Sequence, residues 1–204
     1  MAVMCPIDLD KARLRTEVQT IYSRVATTPD GQFHFHRGPA YASTMLGYDA
    51  NELAALPLDV TSSFAGVGNP HAIDRVSAGA TVLDIGCGAG TDLLIAAQMT
   101  GPAGRVIGVD MTASMLATAR ASAGAMGLAT VDLHDSLIEA VPVNSASVDV
   151  VIANGVIDLV PDKDVVLDEI DRVLRPGGRL QLADVVIHNE VSEDARGRID
   201  LWTG

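Results

Sequence analysis

The chain has 204 residues, enough for one domain or one domain with a small appendage, and 48% of them are apolar, so it can bury a core. Aromatic residues are only 3%, so that core must be built from Ala, Val, Leu and Ile. The formal charge of −12 repels phosphate backbones and anionic lipid surfaces, which argues against nucleic acid or membrane as a main partner and leaves small molecules open.

Near Met1 stand Asp8, Asp10, Lys11 and Arg13, and no basic region leads into an apolar run, which predicts no secretory signal. Two cysteines, Cys5 and Cys87, make no disulfide framework and fit the reducing cytoplasm. Val18, Ile21, Tyr22 and Val25 share one helical face, and Pro29-Asp30-Gly31 ends that helix as a turn. Residues 40–46 and 51–56 read as two short helices, the second closed by Pro57, and residues 62–70 as a loop. Residues 1–75 thus form a helical leader that caps the remainder of the chain.

From residue 76 the pattern changes. Thr81-Val82-Leu83-Asp84-Ile85 is a short apolar run entering glycines, the mark of a buried strand, and residues 91–100 form a helix stopped by Gly101-Pro102. Further strands are expected at 105–109, 130–133, 148–153 and 179–187. Helices are expected at 114–126 and 162–174, the last ended by Pro176-Gly177-Gly178. Apolar strands alternating with helices predict a parallel sheet covered on both faces, and right-handed crossovers make the Rossmann-like doubly wound α/β order the simplest solution for residues 76–204.

Ligands of such sheets bind beyond the carboxyl ends of the strands, where Asp84-Ile85-Gly86-Cys87-Gly88-Ala89-Gly90 leaves the first strand and opens the first helix. Glycines allow tight turning and close approach, and the helix start offers free N–H groups. A dinucleotide fingerprint would need glycine where Thr91 stands. Asp84 would repel a pyrophosphate but suits the cationic amino-acid end of S-adenosylmethionine (SAM). Asp110, at the end of the second strand, is placed to accept hydrogen bonds from ribose hydroxyls.

From Tyr48 onward the chain resembles the arsenite methyltransferases, within the class I SAM-dependent methyltransferases. The resemblance rests on LGYDANELAALP, FAGVGNP, TVLDIGCGAGTDLLIAA, GRVIGVDMT, DVVIANGVIDLVPDKDVVLDEIDRVLRPGGRL and LADVV. It implies SAM as methyl donor and S-adenosylhomocysteine (SAH) as product. It further implies a cofactor site of Asp84, Gly86, Cys87, Gly88, Asp110 and Met111, with Asn154 near the reacting methyl. The turn holding Asp135, Ser136, Leu137 and Ile138 would lie against the adenine. The family binds As(III) through cysteine thiolates, soft ligands for a soft centre. Here Val67 precedes Gly68-Asn69-Pro70 and Gly155 follows Asn154, where two of those cysteines belong, and a third would follow Trp202. The expectation is therefore methyl transfer to a small molecule other than arsenite.

The leader should pack over this site, which makes Tyr22, His34, His36 and Tyr41 candidates for contact with the acceptor, although a loop histidine pair is more often solvated. The acidic run from Asp158 to Asp171 reads as a charged helix face and not as a metal site. Methyltransferases of this class add two antiparallel strands after the fifth, and few residues follow it here. That gives two further expectations. One is a homodimer or complementary subunit covering the fifth-strand edge. The other, an alternative to catalysis, is a silent methyltransferase-fold subunit acting through a partner chain.

Overall fold

The computed structural model describes residues 10–188 and Ser192. The leader holds four helices: α1 (Lys11–Thr27), α2 (Pro39–Leu46), α3 (Ala50–Ala54) and α4 (Leu58–Ser62), with a 3-10 turn at Pro70–Ala72. The sheet region is built from β1 (Thr81–Ile85), α5 (Thr91–Thr100), β2 (Arg105–Asp110), α6 (Ala113–Ala125), β3 (Val131–Asp135), β4 (Val148–Asn154), α7 (Lys163–Val173) and β5 (Leu174–Ala183). The five strands are parallel, in the order β3-β2-β1-β4-β5, as the doubly wound expectation requires. The order reverses between β1 and β4, which places a crevice above their carboxyl ends.

Alternate residues of each inner strand point to opposite faces, and helices bury both. Leu83, Ile85, Ile107, Val109 and Val151 pack under Val166, Ile170 and Val173 of α7. Val82, Val106, Val150 and Ile152 pack under Leu93, Ala96 and Ala97 of α5 and Leu116 and Ala119 of α6. The leader is fixed to this second layer: Tyr48, Leu53, Leu56, Val60 and Phe64 share a buried cluster with Leu94, Ile95 and Ala123. Val25 of α1 is fully buried against Ala89 and Met115, so α1 lies directly on the glycine loop.

Several expectations are corrected. Pro57 closes α3 and also starts α4, because its fixed φ of −55° suits the residue before a helix as well as the one after. The Pro176-Gly177-Gly178 segment is a bulge inside β5, not a turn before it. Leu174 pairs with Val148 and Arg179 with Val150, and Gly177 takes a φ of +83° to loop the extra residues out. The strand also stops at Ala183 and not at 187. Asp184 turns away to accept hydrogen bonds from the N–H groups of Ile157 and Asp158. β3 runs to Asp135, two residues past the expected end.

Candidate cofactor and active site

Gly86, Gly88 and Gly90 have φ of +66°, +53° and +98°, a backbone region that side chains resist. The turn they make is pinned by Gly86 N–H and Cys87 N–H, which both donate to the Val109 carbonyl at 2.8 and 3.0 Å. Close approach matters most at Gly86, where a Cβ would stand 2.4 Å from Cγ2 of Val156. Asp110 ties the loop to the next crossover: one carboxylate oxygen accepts from Gly88 N–H at 2.9 Å, the other from Thr112 N–H at 2.7 Å. Burial holds its carboxyl above the usual range, against those backbone hydrogen bonds. The Cys87 thiol is pushed well up by burial, so it is an unreactive part of the wall.

Asp84 is only 2% exposed, and its Oδ2 has no hydrogen-bond partner among the described residues. Burial, then the neighbouring Asp92 and Asp110, push its carboxyl far above the usual range. A buried, unsatisfied carboxylate oxygen facing a cleft is a place for a cation or a strong donor. The cleft encloses about 1040 Å³ of space, part of it open to solvent. Its walls include all ten expected cofactor residues: Asp84, Gly86, Cys87, Gly88, Asp110, Met111, Ser136, Leu137, Ile138 and Asn154. The Asp84 oxygen and the glycine cradle fit the ammonium and carboxylate ends of SAM.

Of the leader candidates, Tyr22 lines the cleft, whereas His34, His36 and Tyr41 do not. His36 stacks on Tyr41 at 5.3 Å, and His34 meets the edge of Phe35 at 5.1 Å. Asp135 is also outside the lining. Helix α1 roofs the cleft through polar contacts: Arg15 donates to Glu139 at 2.7 Å and Gln19 to the Met111 carbonyl at 2.9 Å.

A buried network that sequence reasoning missed closes the other end. Asn154 Oδ1 accepts from Val67 N–H at 2.9 Å and Gly68 N–H at 3.2 Å. Its Nδ2 hydrogens are shared among the Gly68 carbonyl at 3.0 Å, Asp92 at 2.9 Å and the Tyr48 hydroxyl at 3.1 Å. Tyr48 donates to Asp92 at 2.6 Å, and its phenol is kept neutral by burial and then by the Asp92 charge. His71 Nε2 sits 3.3 Å from Asp92, within ion-pair range but not aligned as a hydrogen bond. Asn154 therefore clamps residues 66–68, and Gly66 is required there because a Cβ would come within 2.4 Å of Asn154 Nδ2. The same clamp sets Val67 beside Gly155, whose Cβ would stand 3.2 Å from Cγ1 of Val67. Among the described residues no group of three or more His, Cys, Asp or Glu could hold a metal ion, and no helix is long and apolar enough to cross a membrane.

Comparison with known proteins agrees with this geometry. A family described as "Methyltransferase domain" matches residues 76–200. The arsenite methyltransferase of Halobacterium salinarum is 38% identical over 210 residues, covering 97% of this chain and 54% of that protein. The nocamycin O-methyltransferase of Saccharothrix syringae is 39% identical over 121 residues, covering 58% of this chain and 42% of that protein. The crystal structure of an arsenic(III) SAM methyltransferase from Chlamydomonas reinhardtii superposes with a TM-score of 0.59 at 38% identity, over 64% of this chain and 46% of that one. The chain spans about half the length of the curated relatives it matches. With the glycine loop, the paired acids and the strand order all in place, the chain belongs to the class I SAM-dependent methyltransferases, close to the arsenite methyltransferases.

Proposed function

We propose that this chain takes part in methyl transfer from SAM to a small organic acceptor, and not to arsenite. The observation that carries the cofactor half is the unsatisfied Asp84 oxygen beside the glycine cradle. When bound, SAM supplies an electrophilic methyl group on a sulfonium. Asp84 would hold its ammonium, the Gly86–Gly90 turn its carboxylate, and Asp110 its ribose. Ser136, Leu137 and Ile138 would border the adenine. Asn154 would fix the wall on the acceptor side, and the apolar side chains of Phe64, Val156 and Leu159, which line the cleft, would help to exclude water. Orientation and water exclusion then supply much of the rate.

The acceptor reading rests on Val67 and Gly155. These neighbouring positions, of which Gly155 lines the cleft and Val67 packs beside it, are where the resemblance to arsenite methyltransferases puts thiolates, and here they carry a hydrogen and an isopropyl group. An apolar corner suits a carbon skeleton, in keeping with a relative named as an O-methyltransferase. Titration calorimetry with SAH tests the cofactor site, and absence of heat with SAH alongside binding of NAD would sink it. Arsenic speciation after incubation with SAM and a thiol tests the acceptor: we expect no methylarsenicals, and enzyme-like turnover to them would refute the reading.

A second reading, a subunit that works through a partner chain, is favoured by the outer edge of β5. No strand pairs with that edge among the described residues, and Leu182, Val185, Val186 and Ile187 are exposed along and just beyond it. A homodimer or a complementary subunit would cover it. Native mass spectrometry of the purified chain should then show an assembly, and an active monomer at all concentrations would dismiss the idea.

A further inference from the structure

The loop between β4 and α7 forms one wall of the cleft through Gly155, Val156, Leu159, Val160 and Pro161. Several groups hold it. Lys163 donates from Nζ to the carbonyls of Ile157 at 2.7 Å, Asp158 at 2.9 Å and Val160 at 3.3 Å. Gly155 N–H donates to the Ala183 carbonyl at 2.8 Å. Asp184, just past β5, accepts through Oδ2 from Ile157 N–H at 3.1 Å and Asp158 N–H at 3.2 Å, and through Oδ1 from Val185 N–H at 2.8 Å. In each of these three bonds Asp184 is the acceptor, as suits a carboxylate.

The Asp158 carboxyl neighbours that of Asp184, whose Oδ2 the Asp158 N–H reaches at 3.2 Å, while Asp158 Oδ1 is buried without a partner among the described residues. Two carboxyl groups this close favour a proton between them, because two adjacent charges in a partly dehydrated site repel. The loop so held presses on the cofactor site, since Val156 fills the space a Cβ of Gly86 would need.

We propose that Asp158 and Asp184 are a positioning pair, in which one shared proton keeps the β4–α7 loop seated on the glycine loop, so that losing it relaxes this wall and weakens cofactor binding. The inference rests on the SAM-site reading for its binding consequence, not for the shared proton itself. The groups facing Asp158 are Asp184 beyond β5, Lys163 on α7 and Tyr22 on α1, whose phenol is kept neutral by burial and then by the Asp158 and Asp110 charges. Burial, followed by the Asp184 charge, raises the Asp158 carboxyl to about 7, with Lys163 acting in the opposite direction. The folded chain therefore holds this proton more tightly than the unfolded chain. The stability contribution of the pair is largest at low pH and falls as pH rises from the ordinary carboxylate range to about 7.

Calorimetry of SAH binding at about pH 6 and about pH 8.5 tests this with wild type, Asp158→Asn and Asp184→Ala, the two conditions lying on either side of the titration. Wild type should bind SAH about threefold more weakly at the higher pH, the ratio that half a pKa unit of linkage gives. Asp158→Asn, whose amide donates to Asp184 at every pH, should keep its affinity across the range. Asp184→Ala should bind weakly at both. The same pH slope in wild type and Asp158→Asn would overturn the proposal. Thermal unfolding without ligand is the independent readout: between the same conditions wild type should lose Tm relative to Asp158→Asn. Parallel Tm profiles would overturn the shared proton. No SAH binding at any pH, with that Tm difference present, would overturn the cofactor reading and still support the pair.

Discussion

The two ends of the cleft are built by different means. The cofactor end is backbone held by backbone: three left-handed glycines, two N–H groups on one carbonyl of β2, and a carboxylate that accepts two more. The proposed acceptor end is loop held by side chains: Asn154 and Tyr48 bond the backbone of Val67 and Gly68, and Asp92 accepts from both of those side chains. The first design tolerates almost no change at its own positions but little depends on side-chain identity around it. The second would let the proposed acceptor wall change residue by residue while the clamp beneath stays the same, one way in which a single fold can host different acceptors.

The largest expected effect breaks the cofactor end. Gly86→Ala forces a side chain into φ +66° and onto the stiff Val156, and should cost about 2–4 kcal/mol in urea unfolding and abolish SAH binding. Normal affinity in a stable Gly86→Ala protein would mean that the loop is less tightly packed than described. Asp110→Ala should weaken SAH binding by about 1–3 kcal/mol, as loss of charge-assisted hydrogen bonds does, measurable by calorimetry. Tyr48→Phe sharpens the contrast from the other side. It deletes the hydroxyl on Asp92 and should lower stability by about 1–2 kcal/mol with SAH affinity nearly unchanged. An equal loss of SAH affinity would show that the two ends are one unit.

This contrast also explains what could be read in the sequence. Asp84, Gly86, Gly88 and Asp110 announce themselves because backbone geometry dictates their types at fixed spacing, and they converge on one cleft with Ser136, Leu137 and Ile138. Tyr48, Asp92 and Asn154 lie 44 to 106 residues apart and meet only through the tertiary fold, so no local pattern signals them. The bulge in β5 was hidden for a related reason. Pro-Gly-Gly is the usual signature of a helix stop, and here the helix has already ended at Val173, so the glycine serves the strand instead. His34 and His36 drew notice for their chemistry, but nearby aromatic rings face them in place of the cleft. Tyr22, on the same leader, reaches the cleft because its helix face carries Val18 and Val25 onto the glycine loop.

The unsatisfied Asp84 oxygen has a consequence for the lifetime of the protein. A fold that buries one carboxyl oxygen without a protein partner gains more from a bound donor than its packing alone suggests. Whatever supplies the missing donor stabilises only the folded chain and so reduces the fraction open to proteases. Digestion of the purified chain should then slow as SAM or SAH is added, which a protease time course with and without either ligand would read.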